Sequence, residues 1–197
     1  MNFPLSLRFK LIALAPQIYV NDAADQPILY VKQKLFKLRE KIEVYHDASR
    51  ARLFCTIQAN KILDWSARYF FTASDGSNLG SVGRKGMRSI WRAHYEIFAP
   101  GDDTPDFEIR EENPWAKVGD SFFSSIPIAG MFAGYLFHPR YLITRKATGQ
   151  PVFRLTKQSA FWEGKFLIEK FGDANEQEET ALTLSLLMLI LLEKSRG

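Results

Sequence analysis

The sequence has almost none of the cysteine that stabilises many small proteins through disulfides or bound zinc. Cys55 is the single cysteine among 197 residues, which excludes an intramolecular disulfide framework and a cysteine-rich zinc site. A reducing compartment, the cytoplasm, is therefore the expected location. The apolar run that follows Arg8 and Lys10 stops at Pro16, and it is too short for the apolar part of a signal peptide.

Catalytic and metal-binding motifs are also lacking. The three histidines, His46, His94 and His138, have no Cys, Asp or Glu at ligand spacing, and no Gly-x-Ser-x-Gly elbow occurs. A calcium loop starting at Asp173 fails, because Glu178 stands where glycine is required and the bidentate glutamate is missing. The sequence predicts no metal, no cofactor and no enzymatic activity.

Aromatic residues, by contrast, are plentiful. The chain is 46% hydrophobic and contains 16 Phe and 7 Tyr, side chains that fit a pleated and half-buried surface. A chain of this length commonly folds as one large all-β unit. We therefore expect a single domain over residues 1–197 that is mainly β.

A strand, turn, strand module recurs along the chain. Tyr69 to Thr72 leads to a turn at Gly76, Tyr141 to Thr144 leads to a turn at Gly149, and a looser copy starts at Ile42 and turns at 46–50. Each module is typical of a β-hairpin. Further predicted strands lie at 7–14, 18–20, 28–32, 61–64, 89–98, 107–110 and 165–170.

The C-terminal segment indicates how so many strands are arranged. Residues 180–192 carry no charge and are apolar on every side of a helix, so this helix must be buried all round. Its length of about 20 Å falls short of the ~30 Å hydrocarbon core of a bilayer, which favours burial in protein. Glutamates precede it and Lys194 and Arg196 follow it, so we expect a helix with two solvent-exposed ends inside a closed barrel.

Several segments together carry a family resemblance: Ile28 to Lys34, the two tyrosine modules, Phe161 to Phe171 and the apolar terminal helix. With them the sequence resembles the tubby C-terminal-like superfamily, in its LURP-one-related and phospholipid scramblase-like branch. The resemblance implies a closed antiparallel barrel of about twelve strands around a central hydrophobic C-terminal helix. It also implies phosphoinositide binding, known for tubby-like barrels. Lipid scrambling is not carried over, because the terminal run is short for a membrane anchor.

A second uncharged stretch spans residues 121–137. Asn113 and Pro114 upstream form a plausible helix start, which predicts a short extra helix near 114–134. The stretch is either a lid packed on the barrel or an exposed docking surface for a protein partner or membrane. Its candidate interaction residues are Ile126, Ile128, Met131, Phe132 and Phe137.

Basic residues form two clusters in a chain of net charge +4 and pI near 9.1. One is Lys32, Lys34, Lys37, Arg39 and Lys41, and the preferred anion site is Arg84, Lys85, Arg88 and Arg92. Cations at alternate strand positions project together and could bind phosphate oxygens. The alternative is a solvated barrel exterior that discourages edge pairing.

These features lead to a ranked set of functions. The first is a non-enzymatic module that binds anionic phospholipid or phosphoinositide headgroups, in the cytoplasm or peripheral to a membrane. The second is a protein-interaction or scaffold domain that docks through the apolar 121–137 segment. Nucleic-acid binding ranks third, because no aromatic stacking platform is interleaved with the basic residues along the sequence.

Overall fold

A computed structural model describes residues 1–10, 17–32, 41–60, 67–84, 94–112, 140–158 and 164–194. Within these residues, twelve strands form one closed antiparallel barrel in which each strand pairs with its neighbours in the chain and the last pairs with the first. The strands are β1 (Leu5–Lys10), β2 (Gln17–Asn21), β3 (Pro27–Lys32), β4 (Ile42–Tyr45), β5 (Leu53–Ala59), β6 (Arg68–Ala73), β7 (Asn78–Arg84), β8 (His94–Phe98), β9 (Phe107–Glu111), β10 (Arg140–Arg145), β11 (Pro151–Gln158) and β12 (Gly164–Lys170).

The two faces of the barrel wall differ as strand alternation dictates. In β1, Leu5, Leu7 and Phe9 are buried in the core, whereas Arg8 is exposed and Lys10 is partly exposed. The same alternation in β8 buries Tyr95 and Ile97 and leaves the intervening residues partly exposed.

The predicted hairpin turns are confirmed. Gly76 and Gly149 both have positive φ, at 88° and 70°, and connect β6 to β7 and β10 to β11. Glycine stands there because a Cβ makes this backbone conformation costly. In the third module Arg50, with φ of 57°, takes the equivalent role.

The C-terminal helix α1 (Glu176–Lys194) lies inside the barrel. Every residue from Ala181 to Leu191 is buried, and its leucines join the inward side chains of the strands in one core cluster. The helix starts earlier than the predicted 180 because of a capping box. The backbone N–H of Glu178 donates to Asn175 Oδ1, and that of Asn175 donates to Glu178 Oε2, both at 2.9 Å.

The helix approaches β7 and β8 most closely, since β7 is built from small residues there. A Cβ on Gly80 would lie 2.7 Å from the carbonyl oxygen of Phe98 and 3.4 Å from the Cβ of Ala181, and its φ is +106°. The Phe98 carbonyl and the positive φ therefore require a glycine at this position, while the contact with Ala181 of the helix is an ordinary one.

The strand predicted at 61–64 and the helix predicted near 114–134 lie outside the described residues. No helix in the described part of the chain is both long and apolar enough to cross a membrane.

In the core, burial raises the pKa of the Cys55 thiol to about 12. That thiol therefore stays protonated at physiological pH.

Candidate functional site: a basic rim

The residues predicted to form the anion site and the docking surface fall largely outside the described chain. Lys85, Arg88 and Arg92 lie there, as do the interaction residues Ile126, Ile128, Met131, Phe132 and Phe137. Arg84 is the last residue of β7, and its register partner is Tyr95. This places Arg84 on the inward-facing side of the strand, together with the buried Val82.

One end of the barrel, which we call the turn end, holds the described strand-to-strand turns and the start of α1. Its turns and the first helical turn are rich in carboxylates: Asp22, Asp25, Asp47, Asp75, Asp106, Asp173, Glu176, Glu178 and Glu179. Three cations of this end are paired. Arg145 Nη1 lies 2.7 Å from Glu178 Oε1, Lys170 Nζ lies 2.7 Å from Glu179 Oε1, and Lys146 Nζ lies 3.1 Å from a Glu96 oxygen.

Glu178 and Glu179, in the first turn of the helix, are more buried than the sequence predicted. Glu179 is only 8% exposed and also accepts a hydrogen bond from the Met1 ammonium at 2.8 Å, whereas Glu176 and Gln177 in the same turn are exposed as expected. Hydrogen bonds from Arg145 lower the pKa of the Glu178 carboxyl. Burial by itself raises the pKa of Glu179, but the hydrogen bonds from Lys170 and Met1 outweigh it and the net shift is downward.

The opposite end of the barrel carries a group of cations that we call the basic rim. Its members stand at or next to the strand ends of β1, β3, β4, β10, β11 and β12: Lys10, Lys32, Lys41, Arg140, Lys157 and Lys165. With β2, these strands are contiguous in the barrel. Apart from Lys10, the rim cations form no ion pair within the described residues.

Register brings part of the rim together around Tyr19. On the outer face, Lys165 stands opposite Arg8, and Arg8 stands opposite Tyr19. In the next outward row, Gln17 on β2 lies between Lys10 on β1 and Lys32 on β3. The Tyr19 hydroxyl donates to Gln17 Oε1 at 2.7 Å, and Lys10 Nζ lies 5.4 Å from the centre of the Tyr19 ring.

Aromatic side chains continue this outer face on the neighbouring strands. Tyr19 packs edge to face on Tyr30, with ring centres 5.0 Å apart, and Tyr30 stands opposite Tyr45. Tyr30 is buried, and its burial raises the pKa of its hydroxyl. The structure therefore interleaves aromatic and basic residues that are far apart in the sequence.

A second polar group lies on the outer face of β8 and β9. His94 Nε2 is 3.2 Å from Glu108 Oε2, and Arg110 Nη2 donates to the same oxygen at 2.9 Å. The His94 contact joins β8 to β9, and the Arg110 contact lies within β9. In the described part of the chain, no three His, Cys, Asp or Glu side chains are grouped so that they could hold a metal ion.

Comparisons with known proteins identify the family. An X-ray structure of a protein from Arabidopsis thaliana is similar, with 12% sequence identity, a TM-score of 0.49, and coverage of 97% of this chain and 91% of that one. No curated protein sequence matches. The family model described as LURP-one-related matches residues 27–130. This chain, a barrel with a helix through its core, therefore belongs to the LURP-one-related family.

Proposed function

We propose that this protein is a non-enzymatic module that binds anionic phospholipid headgroups through its basic rim. The observation that supports this is the contiguous set of rim cations without ion pairs among the described residues: Lys32, Lys41, Arg140, Lys157 and Lys165. Like charges gathered on one surface repel one another unless anions neutralise them. A phosphate-bearing surface supplies those anions.

The distribution of charge along the barrel also supports an orientation. Each Lys or Arg near an anionic membrane contributes about 1 kcal/mol of attraction, and the carboxylates of the turn end are repelled by the same surface. The barrel would therefore approach a membrane with its basic rim first and its turn end facing away. The resemblance to tubby-like barrels, which bind phosphoinositides, points to the same ligand chemistry.

Charge reversal at the two ends provides the test. The double variant K32E/K165E changes two rim cations, and R50E/R52E changes two exposed arginines at the turn end. Each lowers the formal net charge from +4 to zero, so overall charge is matched. Co-sedimentation is measured with phosphatidylcholine vesicles alone, with added phosphatidylserine and with added phosphatidylinositol 4,5-bisphosphate.

We expect the wild-type protein to sediment with both anionic vesicle types but not with the neutral ones. K32E/K165E should lose about tenfold or more in affinity, whereas R50E/R52E should lose less than about threefold. Equal binding to neutral vesicles would contradict the proposal, and so would equal losses in the two variants. The role of Met131 and Phe132 in docking a protein partner stays a prediction from the sequence.

A further inference from the structure

Two cations face each other across the seam that closes the barrel. Arg8 on β1 and Lys165 on β12 are register partners on the outer wall, where Arg8 is exposed and Lys165 is partly exposed. Directly opposed residues of antiparallel strands have Cβ atoms about 5 Å apart, and like charges in such a pair destabilise the sheet. The first and last strands therefore meet at two charges that repel each other.

Carboxylates compensate this pair only in part. Lys165 forms no ion pair with any residue that the structure describes. Arg8 Nη2 lies 3.9 Å from Asp25 Oδ1, and that oxygen already accepts a hydrogen bond of 2.7 Å from Asn21 Nδ2. The Arg8 and Asp25 side chains are 46% and 71% exposed, and exposed ion pairs contribute little. Two cations and one carboxylate leave one net positive charge at the seam.

The wall around the pair adds hydrogen-bond donors and no further carboxylate. Its outward neighbours on the described parts of the adjoining strands are Ser6, Lys10, Tyr19, Gln158 and Leu167. The Gln158 amide stands beside Lys165, and the Ser6 hydroxyl lies on the same face as Arg8. Lys10 contacts the Tyr19 ring and lies outside the site.

We infer that Arg8 and Lys165 together bind one phosphate group, which bridges β1 and β12 on the outer wall. This inference rests on the proposed lipid-binding function and names the pair that contacts the phosphate. The guanidinium donates two parallel hydrogen bonds to phosphate oxygens, and the ammonium adds a charged donor from the opposite strand. A phosphodiester carries a single negative charge, which neutralises the net positive charge left at the seam.

The phosphodiester of a lipid headgroup and free phosphate offer the pair the same oxygens. On an exposed wall, two cations bind free phosphate weakly, because water competes for every donor. On a vesicle, other rim cations such as Lys32 and Lys41 contact neighbouring headgroups at the same time, so the pair contributes to a tighter, multivalent attachment. Either source removes the repulsion across the seam and so stabilises the closed barrel.

A double-mutant cycle on the pair provides the test. R8Q, K165Q and R8Q/K165Q are compared with the wild type in co-sedimentation with phosphatidylcholine vesicles that contain phosphatidylglycerol, whose headgroup is a phosphodiester. Each single variant should lose about fivefold to tenfold in affinity. The double variant should lose about tenfold, well short of the product of the two single losses, because both cations hold the same phosphate. R50Q/R52Q removes two charges at the turn end and should lose less than about twofold.

Thermal unfolding in inorganic phosphate tests the free ligand. Phosphate stabilises folded proteins in general, so R8Q/K165Q is the reference. In about 100 mM phosphate, relative to sodium chloride of the same ionic strength, the melting temperature of the wild type should rise by about 2 °C more than that of the double variant. The melts in chloride check that every variant folds.

The outcomes separate this site from the function on which it rests. Vesicle binding in which the two single losses multiply overturns the shared phosphate and leaves the lipid-binding function intact. Coupled losses without extra stabilisation in free phosphate support the site and identify the headgroup as its ligand. A wild type that does not bind anionic vesicles but shows the extra stabilisation overturns the lipid-binding function and supports a soluble phosphate as the ligand. The absence of both responses overturns the site and the function.

Discussion

The cations at the two ends of the barrel have opposite environments. At the turn end, Arg145 and Lys170 are partly buried and each bonds a helix glutamate at 2.7 Å. At the opposite end, Lys32 and Lys165 lie on the outer wall with no ion pair in the described parts of the chain. Charges that neutralise each other stabilise the folded state, whereas charges left without a counterion are available to a ligand. Stability and binding should therefore respond to different ends.

Acidification should have the largest effect on stability, because it protonates both helix glutamates and so removes both of their ion pairs at the turn end. The pKa values of Glu178 and Glu179 are below the ordinary value of 4.5 in the folded protein. Their stabilisation is thus fully present above about pH 4.5 and is lost as the pH falls through their folded pKa values. Urea unfolding at a series of pH values from 7 to 3 should show a falling midpoint.

The double variant E178Q/E179Q provides the control for this acid effect. It should be less stable than the wild type at pH 7, and its unfolding midpoint should fall less steeply between pH 5 and pH 3. If the variant and the wild type lose stability in parallel, the acid sensitivity comes from other carboxylates.

Two lysines at opposite ends of β12 allow stability and vesicle binding to be tested separately. K170M leaves the 8% exposed Glu179 without its nearest cation and should lower the free energy of unfolding by about 2 kcal/mol, with little change in vesicle binding. K165M, at the other end of β12, should change stability by less than about 0.5 kcal/mol and should weaken binding to anionic vesicles. Chemical denaturation and co-sedimentation on both variants measure the two quantities. The reverse assignment would show that the ends are not specialised.

A smaller effect is expected from R145K. Arg145 binds Glu178 with both terminal nitrogens and stacks on Phe107 with 4.6 Å between the guanidinium carbon and the ring centre. Lysine cannot reproduce this geometry, and we expect a loss of about 1 kcal/mol. In R110K the arginine is well exposed and contacts Glu108 through one nitrogen, so the denaturation midpoint should hardly move. Equal effects of the two substitutions would mean that the bidentate geometry contributes nothing.

The fold was largely predictable because its signals are local. The tyrosine modules predict two hairpins, and the run that is apolar on every side predicts the buried helix. The helix start was missed by four residues, although Asn175 and Glu178 form a capping box that the sequence already contains. The apolar pattern alone predicts that these acidic residues flank the helix, because they are polar.

The arrangement of the surface residues was less predictable. Residues that are distant in the sequence become neighbours only where the last strand pairs with the first and closes the barrel. Lys165 reaches the side of Arg8 only when β12 pairs with β1, and no local pattern indicates that contact. The glycines of β7 have no side chain to show which face is inward, so the position of Arg84 beside the core could not be predicted. One partner of Glu179 is equally remote, since the Met1 ammonium comes from the other end of the chain.

The buried helix has a consequence for how the protein is made. Leu5 pairs with Ile168 when the barrel closes, and the segment that fills the interior follows that closing strand in the chain. The ribosome therefore synthesises the helix that fills the barrel after it has synthesised the described strands. Until α1 has left the ribosome, the inward apolar side chains of the strands have nothing to pack against, so the fold cannot be completed before then and depends on long-range contacts that form slowly.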